Sequence, residues 1–462
     1  MNIERVIKEH MDKRIDLTSG SITEKLVKLA LPIMGVSFIQ TAYNLVDMIW
    51  IGKMGSHTVA AVGTAGFFTW LAEAFVMLTK LGVSIKVSQS IGQNNYEKTK
   101  QYIISALQMN LVIALLYGLF VVGFNKELIA FFALGDEAVI QMARTYLVTV
   151  GIGMLFFFTG PVFSGIFNGL GDSKTPFKIN IIGLATNTIL DPIFIFGLFG
   201  MPKMGVLGAA LATVIAQIIV SLCFVIVIIR RRLDYFTLHI LSKPKWQYIK
   251  EIAYIGLPGA LQSGLFTVFS MIIGRIVAYW GPIPIAAQKI GSQIEAISWL
   301  TAGGFSTAIA TYVGQNYGAG KHERIGKGVR ATMGLAVLLG MVTTLLLIFA
   351  REPLMRIFVS ESETIDVGKQ YLLILGYSQL FMCAEITISG AFSGMGRTYL
   401  PNMISIVLTG ARIPLALVLA RTLGIDGVWW SISISSILKG ILLVSIYFYL
   451  QKRGRLFKTA YI

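Results

Sequence analysis

Charge is scarce in this 462-residue chain: Asp, Glu, Lys and Arg together make up 13%, about half the share of an ordinary soluble domain. With 55% hydrophobic residues and a mean hydropathy of +0.72, that shortage excludes a soluble globular protein. Histidine is rare too. His10, His57, His239 and His322 all lie in polar segments or connections, so none supplies an intramembrane metal site or catalytic base. The two cysteines, Cys223 and Cys383, fall in apolar runs and read as core residues, not as a disulfide framework. A Walker-type phosphate loop, a metal-spaced His/Cys set and a Ser/His/Asp grouping are all missing, which sets aside a membrane-integral enzyme. Acids are the scarcer charge, 23 against 39 Lys and Arg. In a soluble chain the resulting +16 would suggest nucleic acid. Here it calls for another explanation.

Long apolar runs are abundant. Segments 103–124, 204–229, 331–350 and 428–450 each reach the ~20 residues that a bilayer-spanning helix needs. Apolar length, bounded by Gly, Pro and charge clusters, predicts an all-α polytopic membrane protein with twelve transmembrane helices. They are expected near 26–51, 58–91, 101–124, 138–169, 176–197, 204–229, 251–277, 282–313, 326–349, 366–395, 400–420 and 426–450. The first two dozen residues are mostly polar, carry Arg5, Lys8, Lys13 and Arg14, and show no cleavage site, so no removable signal peptide is expected. With this end inside, 24 basic residues fall in inside segments, whereas the outside connections hold only Lys53, Lys126, Lys203, Arg351, Arg356 and Arg421. That bias predicts a plasma-membrane protein with both termini cytoplasmic. The positive charge then serves topology and attraction to anionic inner-leaflet lipids.

The chain also repeats itself. Ser164-Gly165-x3-Gly169-x-Gly171-x4-Pro176 recurs as Ser389-Gly390-x3-Gly394-x-Gly396-x4-Pro401, displaced by 225. Leu31-Pro32 recurs as Leu257-Pro258, Gly92-Gln93-Asn94 as Gly314-Gln315-Asn316, and Gly205-x2-Gly208 as Gly424-x2-Gly427. Two pseudo-symmetric six-helix bundles follow, related by an axis along the membrane normal. The expected organisation is a cytoplasmic segment 1–25, bundles 26–229 and 251–450, a basic cytoplasmic linker 230–250 and a cytoplasmic tail 451–462. Two such bundles around a cleft are what alternating access requires. The repeated glycines in themselves fit close helix packing.

An ionisable group inside a span costs at least ~2.5–3.5 kcal/mol on insertion scales, so each asks for a reason. Asp47 lies six residues before Lys53, too deep for its short side chain to snorkel. Asn187 and Asp191 sit at i and i+4, on one helix face, and Pro192 leaves the carbonyl of Thr188 without its helical partner. An amide oxygen, a carboxylate and a freed carbonyl on one bent helix suit a hard cation or a proton relay. Pro32 marks a second bend. In the other half the counterparts Thr409, Ile413 and Pro414 keep the proline and lose the acid, and Asp47 becomes Ile273. Such asymmetry points to ion chemistry in the first half alone. Glu73 and Glu295 read as repeat equivalents, whereas Lys80, Lys289, Glu385 and Arg412 have no partner in the other half. Arg412 is expected to face the cleft or to pair with Glu385 or Glu295.

Taken in order, Leu31-Pro32, Val46-Asp47-x4-Gly52-x2-Gly55, Gly92-Gln93-Asn94, Gly169-x-Gly171-Asp172-x3-Pro176, Asn187-x3-Asp191-Pro192 and Gly205-x2-Gly208-Ala209-Ala210-x-Ala212-Thr213 resemble the multidrug and toxic compound extrusion (MATE) family. The resemblance covers nearly the whole chain and is most similar to the DinF-like branch, whose ion-linked residues match Asp47, Asn187, Asp191, Ala209 and Thr213; the other large bacterial branch carries an acid in the seventh helix, where 265–279 here contains Arg275 and no carboxylate. It implies secondary active export of organic cations or amphipathic drugs and toxins against H⁺ or Na⁺, by a protein needing no cofactor and working as a monomer among membrane lipids. It also implies ion-linked roles for Asp47, Asn187, Asp191, Ala209 and Thr213, with Na⁺ a candidate at Asp47, Asn187, Asp191 and Thr213. Pro32 and Pro192 would be the bends, and Gln40, Tyr43, Glu73, Glu295 and Arg412 would line the substrate cleft. Lys80, Lys289 and Arg412 depart from a purely cation-exporting cleft. A lipid-linked oligosaccharide or lipid flippase of the same superfamily is the alternative.

Overall fold

The computed structural model describes residues 15–132, 134–231 and 242–457, so Arg5, Lys8, His10, Lys13, Arg14, Arg232, His239 and Lys458 lie outside the described residues, as does much of the expected linker. The described residues form helices and no strand. In chain order these are α1 (Ile22–Gly52), α2 (Ser56–Gly92), α3 (Tyr96–Gly123), α4 (Asn125–Ala130), α5 (Glu137–Ile152), α6 (Met154–Gly169), α7 (Lys174–Phe196), α8 (Val206–Arg231), α9 (Trp246–Val277), α10 (Pro282–Gly318), α11 (His322–Phe349), α12 (Arg351–Arg356), α13 (Ser362–Gly376), α14 (Gln379–Gly394), α15 (Tyr399–Gly410), α16 (Arg412–Leu423) and α17 (Ile425–Lys452). Among the described residues nine spans are apolar and long enough to cross a membrane, counting α15–α16 as one, and α5–α6 and α13–α14 add two bent by 53° and 50°. The twelfth, α10, falls short of apolarity because it carries Gln288, Lys289, Gln293 and Glu295. Its copy α2 shows it to be a span: both helices run 37 residues.

Two compact units form, one of residues up to Asp16 with Leu31–Ala260, the other of Leu17–Ala30 with Leu261 onward. The divisions fall in α1 beside Pro32 and in α9 beside Pro258, the helices with a proline inside. A proline interrupts the main-chain ladder there and weakens the helix locally.

In the first unit, α6 lies directly on α2: a Cβ at Gly165 or Gly169 would strike the carbonyls of Lys80 or Ser84. In the second, Gly390 and Gly394 of α14 meet the carbonyls of Ser306 and Ala310 of α10 in the same way. The repeated glycines are therefore close-packing positions. Gly171 (φ 87°) and Gly396 (φ 79°) end these helices in the left-handed region. Asp172 N–H bonds Phe167 O and Arg397 N–H bonds Phe392 O, the same cap twice.

These contacts set the repeat along α2 and α10 at 226 residues, which corrects one expectation. Gly92-Gln93-Asn94 and Gly314-Gln315-Asn316 stand one helical turn out of step, as do Glu73 and Glu295. A four-residue slip keeps the same helix face, so the pattern alone could not reveal it. Gln315 and Asn316 grip the backbone of buried Leu17: Leu17 N–H donates to Gln315 Oε1 (3.3 Å), and Asn316 Nδ2 donates to Leu17 O (3.1 Å). Asp172 is likewise structural, accepting from Thr175 N–H and Oγ1 in the first turn of α7 and pairing with Arg231 at 2.7 Å.

Candidate ion site in the first unit

Three helices of the first unit bring five polar side chains together. α1 presents Tyr43 and Asp47 one turn apart, α7 presents Asn187 and Asp191 one turn apart, and α8 presents Thr213 one turn beyond Ala209. α8 reaches α7 closely because Gly208 abuts the backbone of Phe194, where a Cβ would meet main-chain atoms. Ala209, fully buried, offers only backbone here.

Asn187 and Asp191 are both 0% exposed, and Asn187 Nδ2 donates to Asp191 Oδ1 at 3.0 Å. That bond aims the remaining oxygens outward from the pair. Asp191 Oδ2, Asn187 Oδ1, Asp47 Oδ1, Tyr43 Oη and Thr213 Oγ1 are all buried and all lack a hydrogen-bond partner. One such orphan costs about 1–3 kcal/mol, and native interiors hold few of them. Five around two carboxylates is a concentration that packing does not account for. Asp191 senses the charge of Asp47, Tyr43 faces Asp47, Asp191 and Thr213, and among the described residues no basic side chain compensates either acid. Two carboxylates, an amide oxygen and two hydroxyls are the hard oxygen donors that suit Na⁺ or a shared proton. Among the described residues no group of three or more His, Cys, Asp or Glu is spaced for a metal.

Asp47 sits five residues inside the end of α1. Pro192 lies directly after Asp191 within α7. Tyr146 of α5 also faces Asp47, Asp191, Tyr43 and Thr213. Sequence reasoning missed it because a tyrosine in an apolar helix carries no signal of its own; only the face it shares with Ala143 and Val150 marks it as inward.

The residues expected to line a cleft do not gather at this site, Tyr43 excepted. Gln40 is exposed on α1, and Glu73 of α2 lies near Lys80. Glu295 and Arg412 belong to the second unit. There Glu295 accepts from Gln379 Nε2 at 2.8 Å, and Arg412 is held by Ser435 and Ser436. The expected pairing of Arg412 with Glu385 or Glu295 is thus corrected: no carboxylate of the described residues lies within salt-bridge distance of it, because Lys439 occupies Glu385 at 3.1 Å. Lys289 is exposed. Cys383 is buried and Cys223 half-buried, both free.

A duplicated set of spanning helices, with uncompensated oxygens buried among α1, α7 and α8 of the first unit, is the architecture of a polytopic membrane transporter. A sequence profile of the MatE family matches residues 32–193 and 258–418, and the chain belongs to that family. It is 29% identical over 414 residues to a probable multidrug resistance protein NorM of Thermotoga maritima, covering 88% of each chain. It is 27% identical over 433 residues to a probable multidrug resistance protein YpnP of Bacillus subtilis, covering 92% of this chain and 94% of that one. Among solved structures, one of a MATE protein in the straight conformation shares the fold, with TM-score 0.88 at 23% identity over 97% of this chain and 99% of that one.

Proposed function

We propose that the protein is a multidrug exporter of the cell membrane that expels organic cations or amphipathic compounds as H⁺ or Na⁺ moves inward through the Asp47–Asn187–Asp191–Thr213 site. The observation that carries this reading is the set of five partnerless buried oxygens around two uncompensated carboxylates. The names of the relatives from Thermotoga maritima and Bacillus subtilis support the cargo class.

Electrostatics supplies the mechanism. Ionised, Asp47 and Asp191 repel each other and favour a state in which water reaches them. A proton or a Na⁺ at the site removes that repulsion and gives the orphan oxygens a partner, which favours closing α1, α7 and α8 around it. Pro32 in α1 and Pro192 in α7 are the weak points at which those helices flex. Ion and drug are then coupled through the conformation of one unit, with no need to touch. Both termini are cytoplasmic on this reading, and the working unit is a monomer. Ala209 contributes its backbone, and Gln40 and Glu73 contact cargo from the first unit.

Proteoliposomes loaded with ethidium test the reading. Efflux under a pure inward Na⁺ gradient or a pure inward H⁺ gradient supports it and identifies the ion; no efflux under either refutes it. Arg412 and Lys289 are the residues that favour the flippase alternative; the Arg412 guanidinium is already engaged by Ser435 and Ser436, and Lys289 is exposed. Complementation of a flippase-deficient strain would favour that reading.

A further inference from the structure

Among the described residues the second unit gathers four charged side chains that the ion site does not use, three of them buried. Arg412, Glu385 and Lys439 are 8%, 6% and 6% exposed, and Glu295 is half-buried beside them. Glu385 of α14 takes Lys439 of α17 at 3.1 Å and accepts from Ser405 of α15 at 3.1 Å. Glu295 of α10 takes the amide of Gln379, whose oxygen accepts from Ser298. Arg412 of α16 has only hydroxyls: Nε donates to Ser435 Oγ, and Nη2 donates to Ser436 Oγ at 3.0 Å. Glu385, Glu295 and Tyr371 all lie within its electrostatic reach. A buried guanidinium thus rests on two neutral groups while the lysine beside it holds the carboxylate that would suit a guanidinium fork better.

Two details make this arrangement exchangeable. Ser435 and Ser436 precede Lys439 on α17 by four and three residues, so they share its face and accept from its ammonium once Arg412 departs. Arg412 is also the first residue after the break between α15 and α16 at Ala411, where Pro414 deprives Gly410 O of its helical partner. We propose that Arg412 is a positioning residue that exchanges partners during transport: the second unit alternates between the pairing seen here and one in which Arg412 holds Glu385 and Lys439 takes the serines, as α15 and α16 flex at Ala411. Every buried charge keeps a partner in both states, which is what a two-state element requires. The proposal rests on the transport reading above.

Ser436→Asp tests it by giving Arg412 a fixed carboxylate in the present pairing. Spin labels at exposed Val407 and Leu438 report the second unit without any transport. The wild type should show two label separations and S436D one. S436D should melt no lower than wild type, with saturated dye export at least tenfold slower and half-saturation unchanged. Wild-type turnover by S436D, or a single separation in the wild type, overturns the exchange. Should S436D not fold, Arg412→Lys keeps the charge but loses the fork; it should show one separation and slowed export, and wild-type behaviour overturns the proposal. A wild type with both separations and no dye export upholds the exchange and fails the transport reading.

Discussion

Replacing Asp191 by Asn should make the protein more stable and end its ion-driven transport. The side chain is fully buried; one carboxylate oxygen accepts from Asn187 and the other has no partner. Asn preserves the shape and removes a charge that lies near Asp47 with no cation to offset it. Relief of one unpartnered buried oxygen and of the repulsion amounts to about 2 kcal/mol, or roughly 4–8 °C in melting temperature on the scale of domains this size. Thermal melts of purified protein at alkaline pH, without Na⁺, measure this directly. The coupling ion supplies the control: at 100 times its dissociation constant it should stabilise the wild type by ~2.7 kcal/mol and D191N by far less. A D191N protein that melts below the wild type, or that gains as much from the ion, would refute the reasoning. The expected gain is the signature of a site that sacrifices stability for function.

Tyr146→Phe removes a hydroxyl that faces both acids and should leave the fold intact while raising the ion concentration for half-maximal efflux roughly tenfold, the worth of one hydrogen bond of ~1.4 kcal/mol; an unchanged ion dependence contradicts that role. Gly169→Ala and Gly394→Ala drive a methyl into the carbonyls of Ser84 and Ala310 in the two units, and each should cost about 1–3 kcal/mol by overpacking, read as a lowered melt. A loss at one position only would contradict the structural equivalence of the repeats. Lys439→Met removes the present cation of Glu385, and because Arg412 takes its place the loss should stay below the about 3–5 kcal/mol of a buried carboxylate left alone; a loss of that full size, recovered on adding Glu385→Met, would show that Arg412 does not reach Glu385.

Much of the architecture was legible in the sequence because bilayer thickness sets helix length and duplication prints each motif twice. Even α10, too polar to pass as a span, was readable through its copy α2. Less legible were the places where one apolar run breaks. The expected helix 138–169 turns by 53° between Ile152 and Met154, where Gly153 packs against Val214 with no room for a Cβ, and 366–395 turns by 50° after Gly376. Hydropathy is blind to such a bend, since both arms are equally apolar. At the site, Asp47, Asn187 and Asp191 announced themselves by being charged or polar in lipid. Tyr146 did not, because its meaning comes from helices far away in sequence. Arg412 was visible as an anomaly but its partners were not: serines carry no charge signal, and Lys439 is hidden in an otherwise ordinary helix.

The central claim is that Asp47 and Asp191 convert an ion gradient into outward movement of drug. Proteoliposomes holding Asp47→Asn, folded by its melt, test it most directly when an inward gradient of the ion that drives the wild type is imposed and dye efflux is followed against a dye gradient. The account predicts no uphill efflux, with wild type concentrating dye outside under the same gradient. Uphill efflux by D47N at the wild-type rate would contradict it.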